Sequence, residues 1–89
     1  MNIFIALSGF FSEPNTDDSL QYEKDVPQAL EGAVLKAMGW SALWDIPEGE
    51  HELSHTQAVA IMEIVGSSFR NDLVYYLGLC QRLTALKKS

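Results

Sequence analysis

Two apolar stretches in the C-terminal half, separated by the polar segment GSS at residues 66–68, constrain the possible folds more than any other sequence feature. The first stretch, residues 58–65, ends at Gly66, and glycine commonly terminates helices. The second stretch, residues 69–86, has apolar residues mostly three or four positions apart, as in an amphipathic helix. Its inward positions would be Leu73, Tyr76, Leu77, Cys80, Leu83 and Leu86. The pattern predicts an antiparallel helical hairpin.

An earlier helix is indicated by its start and stop signals. The segment DVPQ at residues 25–28 combines a capping side chain, a proline suited to the first turn and a glutamine that can close a capping box. Gly39 follows the last apolar position, so we predict that this helix ends at Met38. A further short turn is expected just after it, at Trp40, Leu43 and Trp44.

The N-terminal segment is ambiguous between helix and strand. Residues 3–11 fit a first helix capped by Asn2, because their apolar positions recur with helical spacing. The alternative is a strand through Ile3, Ile5 and Leu7. The polar, acidic segment SEPNTDDS at residues 12–19 is interpreted as a loop, with one helical turn after Thr16 as the alternative.

Length and composition agree with one small folded domain at residues 1–89, since 47% of the residues are apolar and 20% are charged. We predict an all-α fold, a bundle of four to five helices that includes the C-terminal antiparallel hairpin. The apolar run at residues 3–7 is too short to cross a bilayer, and Cys80 has no second cysteine to pair with. We therefore expect a cytoplasmic protein without membrane attachment.

Charge is distributed unevenly along the chain, whose formal net charge is -6. Residues 1–66 contain eleven carboxylates and only two cationic side chains, Lys24 and Lys36. An acidic surface repels nucleic-acid phosphates and attracts basic partners, which include proteins that themselves bind nucleic acid. The alternative is that the charge serves solubility alone.

The segment HELSH at residues 51–55 matches the HExxH pattern, and over these five residues it is similar to the zincin metallopeptidases. That chemistry requires both histidines on one helix face, with the glutamate as general base. If Ser54 caps the following helix, His51 lies outside it and the spacing loses its meaning. We interpret the match as coincidental and expect no metal or other cofactor. The alternative is a zinc site in which the hairpin brings Cys80 to His51 and His55.

Residues 57–77 resemble a DNA-binding helix-turn-helix in having a glycine between two apolar stretches. Met62, Ser67 and Asp72 fall where that motif needs other residue types, and only Arg70 is basic in the first turns of its second helix. We therefore expect no direct binding to nucleic acid. The sequence also lacks a phosphate-binding glycine loop and the serine context of a hydrolase, so no catalytic residue is proposed.

The most suggestive candidate surface combines tryptophan with carboxylates, because tryptophan is prominent at interfaces and carboxylates suit a basic partner. Its residues are Trp40, Trp44, Asp45, Glu48, Glu50 and Glu52. The alternative is that both tryptophan rings simply cover the core. A second candidate is an outward helix face that would support a homodimer. Its residues are Tyr75, Gly78, Arg82 and Ala85.

The functional hypothesis is a small, acidic, non-enzymatic protein that binds a partner protein. Chains of this kind are used by phages and mobile elements as inhibitors or regulators of host machinery, including nucleic-acid-binding defence complexes, and the hypothesis extends to this chain by that analogy. The two alternatives are a DNA-binding regulator of the helix-turn-helix type and a zinc-binding protein that uses His51 and His55.

Overall fold

The computed structural model describes residues 2–14 and 16–82, which form a four-stranded antiparallel sheet and two α-helices. In chain order the elements are β1 (Asn2–Phe11), β2 (Leu20–Asp25), α1 (Gln28–Met38), a 3-10 helix (Leu43–Asp45), β3 (His51–Glu52), α2 (His55–Val65) and β4 (Leu73–Arg82). The strand order is β2-β1-β4-β3. The fold is therefore α+β, and the predicted all-α bundle of four to five helices is wrong.

The centre of the sheet joins the two ends of the described chain. β1 and β4 pair along their whole length, from Asn2 opposite Arg82 to Phe11 opposite Leu73. Burial alternates along β1 from Phe4 to Phe10 and along β4 from Leu73 to Leu77. Ile5 and Leu7 in β1, for example, are fully buried while their neighbours in that stretch are not. This period of two is the strand period. The strand alternative for the N-terminal segment is thus confirmed, and its predicted helix is wrong.

The predicted second helix of the C-terminal hairpin is also wrong, because β4 occupies most of residues 69–86. Residues 83–86 lie outside the described part of the chain. Tyrosine and valine at residues 74–76 favour strands, and every residue from 73 to 80 is apolar or glycine. Such a stretch fits a helical and a strand period equally well, and pairing with β1 decides between them.

The two α-helices follow their local signals. Ser54 caps α2: its hydroxyl accepts a hydrogen bond from the Gln57 backbone N–H at 3.1 Å, and the Gln57 side chain accepts one from the Ser54 N–H at 2.9 Å. α2 ends at Gly66 and α1 at Gly39, both in the left-handed conformation. The predicted end of α1 at Met38 is confirmed, whereas Asp25 belongs to β2 and does not cap the helix.

The hydrophobic core lies between the helices and one face of the sheet. Its buried residues are Ile5, Leu7, Val26, Val34, Leu35, Ile46, Leu53, Ala58, Ile61, Met62, Val65, Leu73, Tyr75 and Leu77. Directly opposite residues of paired strands share a face, so the intervening residues of β1 and β4 lie on the other side. We call that side the open face, formed centrally by Phe4, Ala6, Ser8, Phe10, Val74, Tyr76, Gly78 and Cys80.

The helices are short. α1 and α2 each contain 11 residues, and within residues 2–14 and 16–82 no helix has the length and apolar character needed to cross a bilayer.

Candidate functional site

Trp44 is the most exposed large apolar side chain among the described residues, with 86% of its surface accessible. It lies in the 3-10 helix of the segment that joins α1 to β3. The Asp45 carboxylate stabilises this turn by accepting hydrogen bonds from the backbone N–H groups of Ser41 and Ala42, at 3.0 and 3.1 Å. The turn therefore presents the indole to solvent from a defined backbone position.

Trp40 has a different role from Trp44. Its side chain is half-buried and packs against the core, and its ring lies 5.9 Å from the ring of His51 in an edge-to-face arrangement. The predicted pair of tryptophans is thus divided into one that covers the core and one that is exposed to solvent.

Glu48, Glu50 and Glu52 are all exposed, but they face different surroundings. The carboxylate of Glu50 reaches over the open face, where its Oε1 lies 3.4 Å from the Ser8 hydroxyl. It also lies against Gly78: a Cβ built on that glycine would be 3.1 Å from the Glu50 Cδ and would collide with Oε2. Gly78 therefore provides the space in which the Glu50 carboxylate rests.

Three further carboxylates lie on the same face because of strand register. Asp25 in β2 is opposite Ala6, and Glu23 and Glu52 belong to a single row. Glu23 in β2 is opposite Ser8, Ser8 is opposite Tyr76, and Tyr76 is opposite Glu52 in β3. The residues form one row across all four strands. With strands about 4.8 Å apart, the two ends of the row are separated by about 14 Å of sheet. Carboxylates therefore flank the centre of the open face on both sides.

Aromatic side chains occupy the centre of this face. The rings of Phe10 and Tyr76 meet edge to face with centroids 5.9 Å apart. Together with Ser8 and Glu50 they line a shallow depression of about 390 Å³. We call it the Phe10–Tyr76 depression. It combines an aromatic floor with a carboxylate at its rim, a chemistry suited to a cationic side chain.

The histidines and the cysteine of the alternative zinc site are not brought together. His51 lies opposite Leu77 on the core side of the sheet, whereas Cys80 lies opposite Phe4 on the open face. Because the Pro47 carbonyl can only accept, His51 Nε2 donates the 2.8 Å hydrogen bond between them. His55 is the first residue of α2, and its ring packs on Phe69 at 5.1 Å.

Ser54 is the cap of α2, so HELSH spans a strand, a cap and a helix start and is not one helical turn. Within residues 2–14 and 16–82, no three His, Cys, Asp or Glu side chains are grouped so that they could hold a metal ion.

The predicted homodimer surface does not exist as a helix face. Tyr75 is 2% exposed, with its hydroxyl accepting a hydrogen bond from the Arg70 backbone N–H at 3.1 Å, and Gly78 is buried beneath Glu50. The side chains of Arg82 and Ala85 lie outside the described part of the chain. The helix-turn-helix interpretation loses its second helix for the same reason, since β4 takes its place.

Sequence reasoning missed Ser8, Phe10, Glu23 and Tyr76. The sequence did contain a signal for two of them. If residues 3–11 form a strand, side chains two positions apart share a face, and Ser8 and Phe10 then lie together. The sequence pattern does not show which segment pairs with β1, so Tyr76 in β4 could not be placed beside Phe10. Comparison of the chain with protein-family models, with curated proteins and with solved structures found no match.

Proposed function

We propose that this protein is a non-enzymatic binding domain that engages a basic partner protein through Trp44 and the acidic segment around it. The observation that carries the proposal is the 86% exposure of Trp44 in a turn held by the Asp45 carboxylate. The binding surface extends from Trp44 along the exposed carboxylates of Glu48, Glu50 and Glu52.

The indole of Trp44 is large enough to contribute much of a partner's binding energy. Burying a tryptophan removes roughly 150–250 Å² from water, and tryptophan is enriched among the few residues that dominate binding energy. The domain gains no comparable packing from Trp44, since most of this ring is in solvent. A partner that covers the Trp44 ring would remove this apolar surface from water, which favours binding.

The carboxylates define the kind of partner. A surface with several negative charges accelerates association with a basic protein and disfavours acidic ones. Basic surfaces commonly serve to bind nucleic acid, so a domain that covers one would compete with that nucleic acid. We therefore propose an inhibitor or regulator of a nucleic-acid-binding complex, of the type that phages and mobile elements use against host defences.

The test is a capture experiment with a charge-matched control. Glu48, Glu50 and Glu52 are replaced by lysine in one variant, and Glu13, Glu31 and Glu63 in the other. Both variants undergo the same change of net charge, but only the first alters the proposed surface. The immobilised proteins are exposed to lysate of the source cells at moderate salt, after circular dichroism has shown that both variants are folded.

The proposal predicts that the second variant captures the same partner as the unaltered protein and that the first loses it. Equal loss in both variants would show that only net charge matters. Equal retention would exclude the acidic segment as the binding surface.

A further inference from the structure

We infer that the open face docks a basic segment of the partner protein and that one arginine side chain of this segment occupies the Phe10–Tyr76 depression. This inference rests on the proposed function and adds a second, specific contact to it. Trp44 lies in the 3-10 helix and does not line the depression, whose aromatic residues come from β1 and β4. Glu50 belongs to both surfaces.

The open face is an unusual surface for a sheet of this size because its central residues are mainly apolar. Phe4, Phe10, Val74 and Tyr76 are half-buried and are not part of the core cluster. Leu20, opposite Phe10 on β2, extends the apolar area and is 45% exposed. An antiparallel sheet with one solvated face normally alternates apolar and polar residues, so an apolar second face is a candidate interface.

Charge complementarity identifies the occupant as cationic. The Glu50 carboxylate stands at the rim of the depression, and Glu23 and Glu52 lie at the two ends of the row that contains Ser8 and Tyr76. Lys24 is opposite Leu7 and therefore belongs to the other face of the sheet. Arg70 is engaged by Asp72 at 2.6 Å. Among the charged side chains that the structure describes, those beside the depression and along its row are therefore negative.

Arginine fits this geometry better than lysine. A guanidinium group is planar and weakly hydrated, stacks on aromatic rings and forms two parallel hydrogen bonds with a carboxylate. The aromatic pair supplies the surface for stacking, and Glu50 supplies the carboxylate. Lysine would gain the charge interaction but not the paired hydrogen bonds.

The strand spacing also suggests how a longer segment would lie. Alternate side chains of an extended peptide are about 7 Å apart, whereas neighbouring strands are about 4.8 Å apart. The centre of the row of four strands is therefore about 7 Å from each of its ends. An extended segment that crosses the strands can place one arginine in the depression and direct the next towards Glu23 or Glu52.

The test is a titration of the protein with the peptide GRGRG, whose two ends are blocked. Binding is monitored by nuclear magnetic resonance at low salt. The control peptide carries citrulline in place of arginine, which keeps the shape and removes the charge. Binding to the proposed site shifts the amide resonances of Phe10, Tyr76 and Glu50, and the citrulline peptide binds at least several-fold more weakly. Equal binding of both peptides, or shifts confined to other parts of the protein, overturns the inference.

Matched variants separate the aromatic and ionic contributions. Tyr76→Leu keeps the apolar contact but removes the aromatic ring, and Tyr76→Phe is its control. Glu50→Gln removes the charge, with Glu63→Gln on α2 as its control. We expect Tyr76→Leu and Glu50→Gln each to weaken peptide binding by about threefold to tenfold and the two controls to leave it unchanged. If all four variants bind like the unaltered protein, the arginine site is wrong.

The titration contains no partner protein, so its failure can be told apart from failure of the proposed function. Absence of peptide binding, with partner capture that still depends on residues 48–52, overturns the arginine site alone. Peptide binding, with capture unaffected by the lysine substitutions, would show an arginine site that the partner does not use, because Glu50 is among the replaced residues. It would overturn both the proposed surface around Trp44 and the docking of the partner on the open face.

Discussion

Phe10 and Tyr76 meet edge to face on the side of the sheet opposite to the two α-helices, with ring centroids 5.9 Å apart. Phe10 belongs to the first strand and Tyr76 to the last, so their contact exists only when the two ends of the described chain have paired. The open face is therefore a product of the tertiary structure. Both the proposed function and the arginine site depend on this pairing.

The first prediction concerns the two tryptophans. Trp44→Ala should change the free energy of unfolding by no more than about 0.5 kcal/mol, because the side chain is 86% exposed. Trp40→Ala should reduce it by about 2 kcal/mol, because the ring packs against the core and His51. Urea unfolding of both variants provides the measurement. A larger loss for Trp44→Ala than for Trp40→Ala would contradict the assignment of their roles.

Two helical glycines should respond in opposite directions to alanine. Gly32 lies within α1 with no atom within 4 Å of the position of a new Cβ, so Gly32→Ala should stabilise the protein by about 0.5–1 kcal/mol. Gly66 ends α2 with a φ of 76°, so Gly66→Ala should destabilise it by about 1 kcal/mol. Thermal unfolding measures both, and shifts of the same sign would show that one helix is placed incorrectly.

The third prediction is a pH dependence at Asp72. The side-chain hydrogen bond from Arg70, at 2.6 Å, lowers the pKa of this carboxyl below its ordinary value, and the positive charge of Arg70 adds to the effect. A carboxyl whose pKa is lower in the folded than in the unfolded state stabilises the fold above the unfolded pKa. This contribution is lost as the pH falls through the folded pKa.

Asp72→Asn should therefore lower the melting temperature slightly near neutral pH and have no effect at strongly acidic pH. Since the pair is exposed, added salt should reduce the difference. A carbon-13 titration of the carboxyl provides the direct measurement, and Arg70→Gln should return the pKa of Asp72 towards its ordinary value. Titration at that value in the unaltered protein would show that the ion pair does not persist in solution.

The fourth prediction concerns metal removal. His51 and Cys80 lie on opposite faces of the sheet, so a chelator should leave the melting temperature unchanged. His55→Ala should respond to the chelator in the same way as the unaltered protein. His51→Ala should be less stable with or without the chelator, since it loses the hydrogen bond to Pro47. One tightly held zinc ion whose removal lowers the melting temperature would contradict this geometry.

The local elements could be predicted from the sequence because their signals are local. The capping box of Ser54 and Gln57 and the stop at Gly66 are sufficient to define α2. The strands could not be predicted in the same way, because nearly continuous apolar residues in β4 fit two periods. Their conformation is decided by pairing between residues 2–11 and 73–82, which the sequence does not encode in any short segment.

Part of the candidate site could likewise be predicted from the sequence, and part depends on the tertiary structure. The acidic segment with Trp44 is contiguous, so the sequence was enough to indicate it. The sequence did not distinguish the exposed Trp44 from the half-buried Trp40, since the short turn between them sets their directions. The contact of Glu50 with Ser8 and Gly78 depends on strand register and on a glycine in β4, and neither can be inferred without the sheet.

The fluorescence of Trp44 during partner binding is the measurement that tests the proposed function most directly. In a Trp40→Phe variant, Trp44 is the only tryptophan of the chain. The captured partner is prepared in a form that contains no tryptophan. We predict that adding it moves the Trp44 emission to shorter wavelength and reduces quenching by acrylamide, because the indole leaves water. Unchanged emission and quenching in a complex shown to form by size-exclusion chromatography would contradict it.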